Sequence, residues 1–371
     1  MDRIIDAVRQ HGDAFDTPAV VVLAEVLREN IARMQAFADG HGVALRPHVK
    51  THKSVDIGRM QLAAGASGIT VSDLHQAEVF AADGIDDIFL AFPLWLSAPK
   101  AARVRHLLKT VGLKIGLDSR AAVDAIVDRG LAGADRLELV VEVDCGGRRS
   151  GVAPAAAGDL ARYAADRGLE VAGVFTYPGH GWALGAAEGA AHDQTAALAA
   201  AAAGLREVGI EPRIVSAGST PTFAWSVAPG ITEIRPGEYV FFSMDHCDHG
   251  ICSPDEIALF VATTVVSAGP GNPQIIDVGT MAIGREADDH GHYGRIAGGG
   301  GALTRVNEYH GFLELGESPP HPIGTVLPLI PTHSCTAVQN ASELLVLEAD
   351  GTVDRFPVQQ LGPMLAARER S

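Results

Sequence analysis

A cluster of cationic and titratable side chains lies early in the chain, in "RPHVKTHK" (residues 46–53). This segment contains two lysines, two histidines and an arginine, although the formal net charge of the chain is −16. A lysine amine whose pKa is lowered by neighbouring cations is a good nucleophile towards an aldehyde, with which it forms an imine. The pattern predicts imine chemistry at Lys50, against the alternative that Lys50 and Lys53 are solvated surface residues. The remaining cationic or titratable residues of the segment are Arg46, His48 and His52.

A second segment, "SAGSTPT" (residues 216–222), has the composition of a phosphate-binding turn. Small residues, backbone N–H groups and hydroxyls are what a phosphate requires, although an ordinary Ser/Gly turn has the same composition. A reactive lysine together with a phosphate site indicates pyridoxal phosphate, whose aldehyde forms an imine and whose ring accepts the electrons of a carbanion.

The third feature is a pair of residues that indicates a metal site. His333 and Cys335 are two residues apart in "PTHSC". If this segment is a strand, both side chains lie on the same face, where an imidazole and a thiolate can hold one divalent ion, with zinc as the first choice. Ordinary packing also accounts for a lone His-x-Cys, so this pair by itself does not decide the question.

The elements that must position these residues follow a regular rhythm. Between about residues 18 and 255, short aliphatic runs alternate with amphipathic stretches that end in glycine. Near residue 70 a buried strand precedes a capping box of Asp73 and Gln76. Such alternation predicts a parallel sheet, and eight units predict a (β/α)8 TIM-type barrel; an open doubly wound sheet is the competitor, but no GxGxxG follows the first strand. The predicted strands begin near Ala19, Ala44, Gly68, Asp87, Leu113, Leu137, Val171 and Arg213.

In a barrel of this type, reactive groups gather at the carboxyl ends of the strands. Lys50 ends the second predicted strand, Asp144 and Arg149 follow the sixth, Tyr177 and His180 follow the seventh, and residues 216–222 follow the eighth. The rhythm breaks after about residue 255, where β-branched runs separated by turn signals predict a mostly antiparallel β domain. We therefore expect a barrel over residues 15–255 and a β-rich, metal-binding domain over residues 256–371, with residues 1–14 as a candidate addition to it.

Composition excludes several classes of partner. The chain of 371 residues has 45 acidic against 29 basic residues and 47% hydrophobic residues. The apolar content suffices for a large core, and the acidic balance argues against nucleic acid or an anionic membrane as a partner. No apolar run is long enough for a membrane span, and the N-terminus has no apolar signal region. Four scattered cysteines do not form a disulfide scaffold, so we expect a cytoplasmic protein.

These residues also carry a family resemblance. "RPHVKTHK", "EVDCGGRRSG", "YPGH", "SAGST", "EIRPGEYVFFSMD" and "PTHSC" occur in this order, and the set covers nearly the whole chain from about residue 15. It resembles the fold-type III pyridoxal phosphate enzymes of the D-threonine aldolase and D-serine dehydratase family, relatives of alanine racemase. The resemblance implies an N-terminal barrel that binds pyridoxal phosphate, a C-terminal β domain and a homodimer.

The resemblance also implies roles for individual residues. Lys50 corresponds to the lysine that forms the Schiff base, Arg149 to an arginine that contacts the cofactor, and Tyr177 to the aromatic residue near the ring. The phosphate cup is implied to consist of Ser216, Gly218, Ser219 and Thr220. Tyr239 is a further candidate on the cofactor side, and His333 with Cys335 corresponds to the metal site, for which manganese and magnesium are alternatives to zinc.

The metal motif favours one reaction. Members that are aldolases typically carry His-x-Asp, whereas dehydratases typically carry His-x-Cys, so "HSC" resembles the dehydratase branch. We expect a D-amino acid with a β-hydroxyl to lose its α-proton to Lys50 and its hydroxyl to the metal, giving a keto acid and ammonia. In the aldolase alternative the hydroxyl is deprotonated, with His180 as the candidate base, and the Cα–Cβ bond breaks.

Three functions other than dehydration and aldol cleavage are also open. A metal-independent racemase on the same barrel does not need His333 and Cys335. A non-catalytic pyridoxal phosphate carrier is typically a barrel alone, so the β domain argues against it. A barrel enzyme without the cofactor would use Lys50 as a plain amine. D-Serine, D-threonine and 3-hydroxyaspartate all fit the predicted chemistry as substrates, and Arg148 is a candidate partner for a second carboxylate.

Overall fold

The computed structural model describes residues 1–268 and 273–359. The described chain forms two compact units. The first, which we call the β unit, contains Met1–Ala32, Thr51–Asp56 and the described residues between Glu238 and Gln359. The second, the barrel unit, contains Arg33–Lys50 and Ile57–Gly237.

The described residues form strands and helices with the following bounds. The strands are β1 (Ala19–Leu23), β2 (Ala44–Leu45), β3 (Ile69–Val71), β4 (Asp87–Pro93), β5 (Gly112–Leu117), β6 (Leu137–Glu142), β7 (Val171–Phe175), β8 (Ile214–Ala217), β9 (Glu233–Ile234), β10 (Leu259–Ser267), β11 (Gln274–Ile276), β12 (Gly294–Ile296), β13 (Ala302–Val306), β14 (Gly311–Glu314), β15 (Val326–Pro331), β16 (Glu343–Leu347) and β17 (Val353–Pro357). The helices are α1 (Asp2–His11), α2 (Ala24–Gly40), α3 (Val55–Ala63), α4 (Leu74–Ala82), α5 (Ala98–Leu107), α6 (Arg120–Asp128), α7 (Ala157–Ala165), α8 (Ala187–Glu207), α9 (Met244–Asp248), α10 (Thr280–Ile283) and α11 (Ser334–Asn340).

The barrel unit is built on a parallel sheet of eight strands in the order β2-β9-β8-β7-β6-β5-β4-β3. Backbone hydrogen bonds also join Thr70 of β3 to Pro47 and Val49, in the segment that follows β2. The strands are almost wholly buried, as expected for parallel strands that are covered on both faces. The predicted TIM-type barrel with a mostly antiparallel C-terminal β domain is confirmed.

Local sequence signals explain where the helices of the barrel unit begin. The Asp73 carboxylate accepts a hydrogen bond from the Gln76 amide at 2.9 Å, and the Ser119 hydroxyl caps α6 in the same way. The reciprocal arm of the predicted capping box is displaced by one residue, because the Gln76 side chain accepts from the Ser72 amide. At β7 a glycine is required: a Cβ on Gly173 would lie 1.8 Å from the carbonyl oxygen of Ile214.

The β unit contains a sheet of nine strands in the order β11-β14-β13-β12-β15-β10-β1-β16-β17, with an additional pairing of β10 with β11. That pairing closes β10 to β15 into an antiparallel barrel, and β1, β16 and β17 extend it. β1 lies between β10, to which it is antiparallel, and β16, to which it is parallel.

One prediction about these sheets is wrong, and one strand of the barrel was missed. The strand near Ala19 was expected to be the first barrel strand, but β1 pairs only within the sheet of the β unit. The missing barrel strand is β9, which has two residues and is too short to produce a recognisable aliphatic run.

Among the described residues, no helix combines the length and apolarity that crossing a membrane requires.

Candidate cofactor and metal sites

Three of the predicted cofactor residues lie together in the barrel unit. Lys50 lies in a turn that begins at residue 49, and its Nζ is 5.8 Å from the centroid of the Tyr177 ring. The Arg149 guanidinium carbon is 4.9 Å from the same centroid. Tyr177 follows β7 and Arg149 follows β6, two adjacent parallel strands, so their carboxyl ends bring the two side chains to one edge of the sheet.

The loop that carries Arg149 is held by the aspartate of the D-x-G-x-x-R pattern. Oδ1 of Asp144 accepts hydrogen bonds from the backbone N–H groups of Gly146 at 2.8 Å and Arg148 at 3.0 Å. Burial alone would raise the pKa of Asp144, but these backbone hydrogen bonds and the Arg148 charge lower it. The aspartate therefore acts as a turn-forming residue, which explains its spacing from the arginine.

Glu142, at the end of β6, is a buried carboxylate beside Arg149. Its Oε1 accepts a hydrogen bond from the Ser150 hydroxyl at 2.9 Å and lies 3.8 Å from Nη2 of Arg149. Burial raises the pKa of Glu142 above its ordinary value. Within the described residues, its Oε2 is buried without a hydrogen-bond partner. A cavity of about 180 Å³ is lined by polar residues, among them Glu142, Arg148, Arg149 and Tyr177.

Tyr177 and His180 each have a partner in the barrel unit. The Tyr177 hydroxyl accepts a hydrogen bond from Nε1 of Trp182 at 2.9 Å. His180 lies on the short 3-10 helix Gly179–Trp182, and its Nε2 is 3.1 Å from Oδ2 of Asp193 on α8. Within the described residues, Nδ1 of His180 is buried and has no hydrogen-bond partner. The imidazole is therefore oriented by the Asp193 carboxylate, while its second ring nitrogen is buried.

The segment 216–222 follows β8 and is buried, but its first hydroxyl has structural partners. The Ser216 hydroxyl donates to Glu233 and accepts from Arg235, whose other nitrogen donates to the Thr176 carbonyl oxygen at 2.6 Å. Burial lowers the pKa of Arg235 to about 10, against the opposing effect of the Glu233 and Glu142 charges. This network lies inside the barrel, beside the Phe175 ring.

The rest of the predicted phosphate cup forms a tight turn. Gly218 has φ +82, and its N–H donates to the Gln194 side chain at 2.7 Å. The Ser219 hydroxyl lies 3.0 Å from the Thr222 hydroxyl, and the Thr220 hydroxyl accepts from the Gly237 N–H at 3.2 Å. Hydroxyls and backbone N–H groups are thus concentrated here, as a phosphate requires. The phosphate-binding role of these residues stays a prediction.

The cationic segment that prompted the prediction of imine chemistry does not act as one group. Arg46 is buried and is paired with Glu233 at 2.9 Å and Asp87 at 2.7 Å, so two carboxylates of the barrel unit compensate its charge. Nδ1 of His48 accepts from the Lys50 N–H at 3.4 Å. His52 and Lys53 belong to the β unit, where Nδ1 of His52 accepts from the Ser54 N–H.

The predicted metal residues lie in the β unit together with a carboxylate. The ligand atoms of Glu238, His333 and Cys335 all lie within 4.8 Å of one another. Oε1 of Glu238 is 2.8 Å from Sγ of Cys335 and 3.3 Å from Nε2 of His333. Cys335 also lies 3.3 Å from the Thr51 hydroxyl. An imidazole, a thiol and a carboxylate form a donor set that suits zinc and related divalent ions.

The expected strand geometry at this pair is wrong. β15 ends at Pro331, His333 is the N-cap of α11, and Cys335 is the second residue of that helix. The two side chains converge because a helix begins between them, not because a strand places them on one face. The prediction failed because Ser334 to Asn340 is short and its helical period is indistinct beside the preceding apolar strand.

Glu238 is a site residue that the sequence did not reveal. It lies on the 3-10 helix Glu238–Val240, and it is 5% exposed. Burial alone would raise the pKa of Glu238, but a hydrogen bond from His246 and the charges of His333 and His246 lower it to about 2. Tyr239, the further cofactor candidate, is the next residue and is fully buried in the β unit.

Comparison with known proteins identifies the fold and both of its parts. Residues 23–245 match the family described as alanine racemase, N-terminal domain, and residues 258–347 match the putative serine dehydratase domain. The chain belongs to the fold-type III pyridoxal phosphate enzymes. The family predicted from the ordered motifs is therefore confirmed.

Individual members of this family align over nearly the whole chain. D-threo-3-hydroxyaspartate dehydratase of Delftia sp. (strain HT23) is 37% identical over 372 residues, covering 92% of this chain and 96% of the relative. D-threonine aldolase of Arthrobacter sp. is 32% identical over 348 residues, covering 91% and 90%. The solved structure of a cysteine-to-alanine mutant of D-threo-3-hydroxyaspartate dehydratase in the metal-free form has a TM-score of 0.86 and 35% identity, covering 94% of this chain and 98% of that chain.

Proposed function

We propose that this protein is a pyridoxal phosphate- and metal-dependent lyase that dehydrates a D-3-hydroxy amino acid to a keto acid and ammonia. The observation that carries the proposal is the cluster of Cys335 with His333 and Glu238, since a thiolate selects a soft divalent ion and His-x-Cys is the pattern that resembles dehydratases. The 37% identity to a D-threo-3-hydroxyaspartate dehydratase supports the same reaction.

In the barrel unit, the residues described above fit the cofactor. Lys50 would hold it covalently, Arg149 and Tyr177 would contact its ring, and the turn that contains Ser219 and Thr220 would receive its phosphate. When bound, pyridoxal phosphate supplies an electron sink for negative charge at the substrate Cα. Glu142 and Asp144 hold the arginine and its loop in place.

In the β unit, His333, Cys335 and Glu238 provide the donor atoms for the metal. When bound, the metal supplies a Lewis acid for the β-hydroxyl of the substrate. Lys50 would act as the general base: once released from the cofactor, its Nζ would take the α-proton of the substrate. His48 accepts the Lys50 N–H, which helps to fix the backbone that carries this amine.

A dicarboxylic substrate is favoured by the arginine pair of the cavity. Arg148 and Arg149 both line the cavity of about 180 Å³, and Arg148 has φ +51 in a turn held by Asp144. If Arg149 contacts the cofactor, Arg148 is available for the second carboxylate of 3-hydroxyaspartate. We therefore propose D-threo-3-hydroxyaspartate as the first substrate to test, ahead of D-serine and D-threonine.

The test is product analysis with the pyridoxal phosphate-loaded protein. With D-threo-3-hydroxyaspartate we expect oxaloacetate and ammonia in equal amounts, and with D-serine pyruvate and ammonia. Chelation and Cys335→Ala should each remove the activity, whereas Cys247→Ala, at a cysteine outside the cluster, should retain it. Glycine together with an aldehyde product would contradict dehydration.

One observation favours the aldolase alternative. The His180–Asp193 pair resembles a general base oriented by a carboxylate, and such a base is what hydroxyl deprotonation needs. The 32% identity to D-threonine aldolase agrees with it. If D-threonine gives glycine and acetaldehyde, and His180→Gln abolishes this reaction, the chain is an aldolase.

The proposal includes a homodimer in the cytoplasm. It also keeps the division at about residue 255 between a cofactor-binding domain and a metal-binding domain, with Glu238 as a metal-site residue from before that division. Size-exclusion chromatography with light scattering tests the first of these statements.

A further inference from the structure

The Glu238 carboxylate lies where a third metal ligand would lie, beside the predicted ligands His333 and Cys335. In a tetrahedral zinc site with bond lengths of 2.0–2.3 Å, neighbouring ligand atoms lie about 3.3–3.5 Å apart. The separation of 3.3 Å between Oε1 of Glu238 and Nε2 of His333 agrees with that spacing. The separation of 2.8 Å between the same oxygen and Sγ of Cys335 is that of a hydrogen bond, with the thiol as donor. The thiol proton thus lies where a shared cation would replace it.

The charges of Glu238 and Cys335 also favour a shared divalent ion. A metal requires Cys335 as a thiolate, and a thiolate at 2.8 Å from the buried Glu238 carboxylate is an unfavourable pair of like charges. Ring nitrogens of His246 and His333 lie 3.3 Å from Oε2 and Oε1 of Glu238, and a metal takes the second of these imidazoles as a neutral ligand. A divalent ion bound to both Glu238 and Cys335 compensates the two charges at once.

Glu238 is also held in place on the side away from Cys335 by His246. Nε2 of His246 lies 3.3 Å from Oε2 of Glu238, and Nδ1 of His246 lies 2.8 Å from the Ser243 hydroxyl. His246 is 1% exposed. This contact engages Oε2, so the carboxylate presents Oε1 to Cys335 and His333. Carboxylates that bind a metal are themselves held by neighbouring polar groups, and His246 is such a group for Glu238.

We infer that the metal site has three protein ligands, His333, Cys335 and Glu238, and that His246 is the positioning residue for the third. This inference rests on the proposed function only in assuming that the protein binds a divalent metal. Three ligands leave a tetrahedral ion one position for a substrate oxygen or water, whereas His-x-Cys alone would leave two.

The experiment is a Co²⁺ titration of the full-length, pyridoxal phosphate-loaded protein after treatment with a chelator. The Co²⁺ dissociation constant comes from competition with a chromophoric chelator, and the ligand set from the d–d bands and the thiolate-to-cobalt charge-transfer band. Glu238→Gln should weaken binding on the order of 100-fold and change the d–d bands, while the charge-transfer band from Cys335 persists. Glu238→Asp should lie between wild type and Glu238→Gln.

Two further variants make the outcome decisive. His246→Gln should weaken Co²⁺ binding about tenfold, because the ligand remains but is no longer oriented. The matched control is Glu317→Gln, at an exposed glutamate of the same unit, which should bind as wild type does. Wild-type affinity and spectrum in Glu238→Gln would overturn the inference and leave the proposed function intact. Should Glu238→Gln not fold, unchanged affinity in both Glu238→Asp and His246→Gln would overturn it instead. Absence of Co²⁺ binding by wild type would refute the metal-dependent function itself, and this inference with it.

Discussion

The indole Nε1 of Trp182 donates a hydrogen bond to the Tyr177 hydroxyl at 2.9 Å, five residues along the same loop. The bond fixes the ring whose centroid lies 4.9 Å from the Arg149 guanidinium. Trp182→Phe removes the donor and keeps an aromatic side chain, at a cost of about 1 kcal/mol. We expect the dissociation constant of pyridoxal phosphate to rise by about fivefold, measured by quenching of protein fluorescence. Trp95→Phe, at an exposed tryptophan of the barrel unit, is the control and should not change the constant.

Lys50 is expected to carry the cofactor covalently and to move the α-proton. Borohydride reduction of the loaded wild type should fix the cofactor on the peptide that contains Lys50, as mass spectrometry can show. In Lys50→Ala the label should be lost and turnover should fall on the order of 10³-fold. Lys109→Ala, at an exposed lysine of the same unit, should behave as wild type. A label on another lysine would contradict the assignment.

Arg148 is expected to set the preference for a second carboxylate. Arg148→Ala should lower kcat/KM for D-threo-3-hydroxyaspartate by about tenfold to a hundredfold, as for loss of a charged hydrogen bond of about 1.5–3 kcal/mol. The value for D-serine, which has no second carboxylate, should change by less than about threefold. Equal losses for the two substrates would show that Arg148 acts on the loop and not on the substrate.

The acid stability of the barrel unit is expected to depend on Asp87. Burial alone would raise the pKa of Asp87, but hydrogen bonds and charges from Arg46 and Lys114 lower it. A carboxyl whose folded pKa is depressed contributes stability at pH values above its unfolded pKa of about 3.9, and that contribution is lost as the pH falls through the lower folded value.

Asp87→Asn should therefore destabilise the protein at pH 7 and have less effect near pH 3. We expect about 1–2 kcal/mol at pH 7, since Arg46 is buried but the Asp87 side chain is 38% exposed and solvent screens part of the attraction. Thermal unfolding at the two pH values measures the difference. Asp128→Asn, at the end of α6, is the comparison variant. An equal loss at both pH values would contradict the electrostatic explanation.

The sequence predicted the parts of the molecule that have strong local signals. The buried strands β5 and β6 and the cap at Asp73 were recognisable because aliphatic runs and cap residues act within a few positions. The lysine, arginine and His-x-Cys residues were recognisable because their motifs occur in order. Strand β1 was assigned to the wrong sheet, because five aliphatic residues look the same in either one and only long-range pairing decides.

The residues that sequence reasoning missed act through tertiary contacts. Glu142, Trp182 and Arg235 support the predicted cofactor residues from positions that no short motif marks. Glu238 lies within "RPGEY", a segment singled out for Tyr239, and its carboxylate next to a proline–glycine turn was a usable signal. Its meaning depends on His333 and Cys335, which are almost a hundred residues away in the chain.

The position of β1 between β10 and β16 has a consequence for protein synthesis. Its partners, β10 and β16, are translated long after it, so the strand "AVVVL" leaves the ribosome with two unsatisfied edges and an apolar surface. The described part of the barrel unit ends at Gly237, whereas β1 gains its second partner only when β16 has emerged. A truncated chain that ends between these points would leave an apolar strand without at least one of its partners, and unpaired strand edges of this kind favour aggregation.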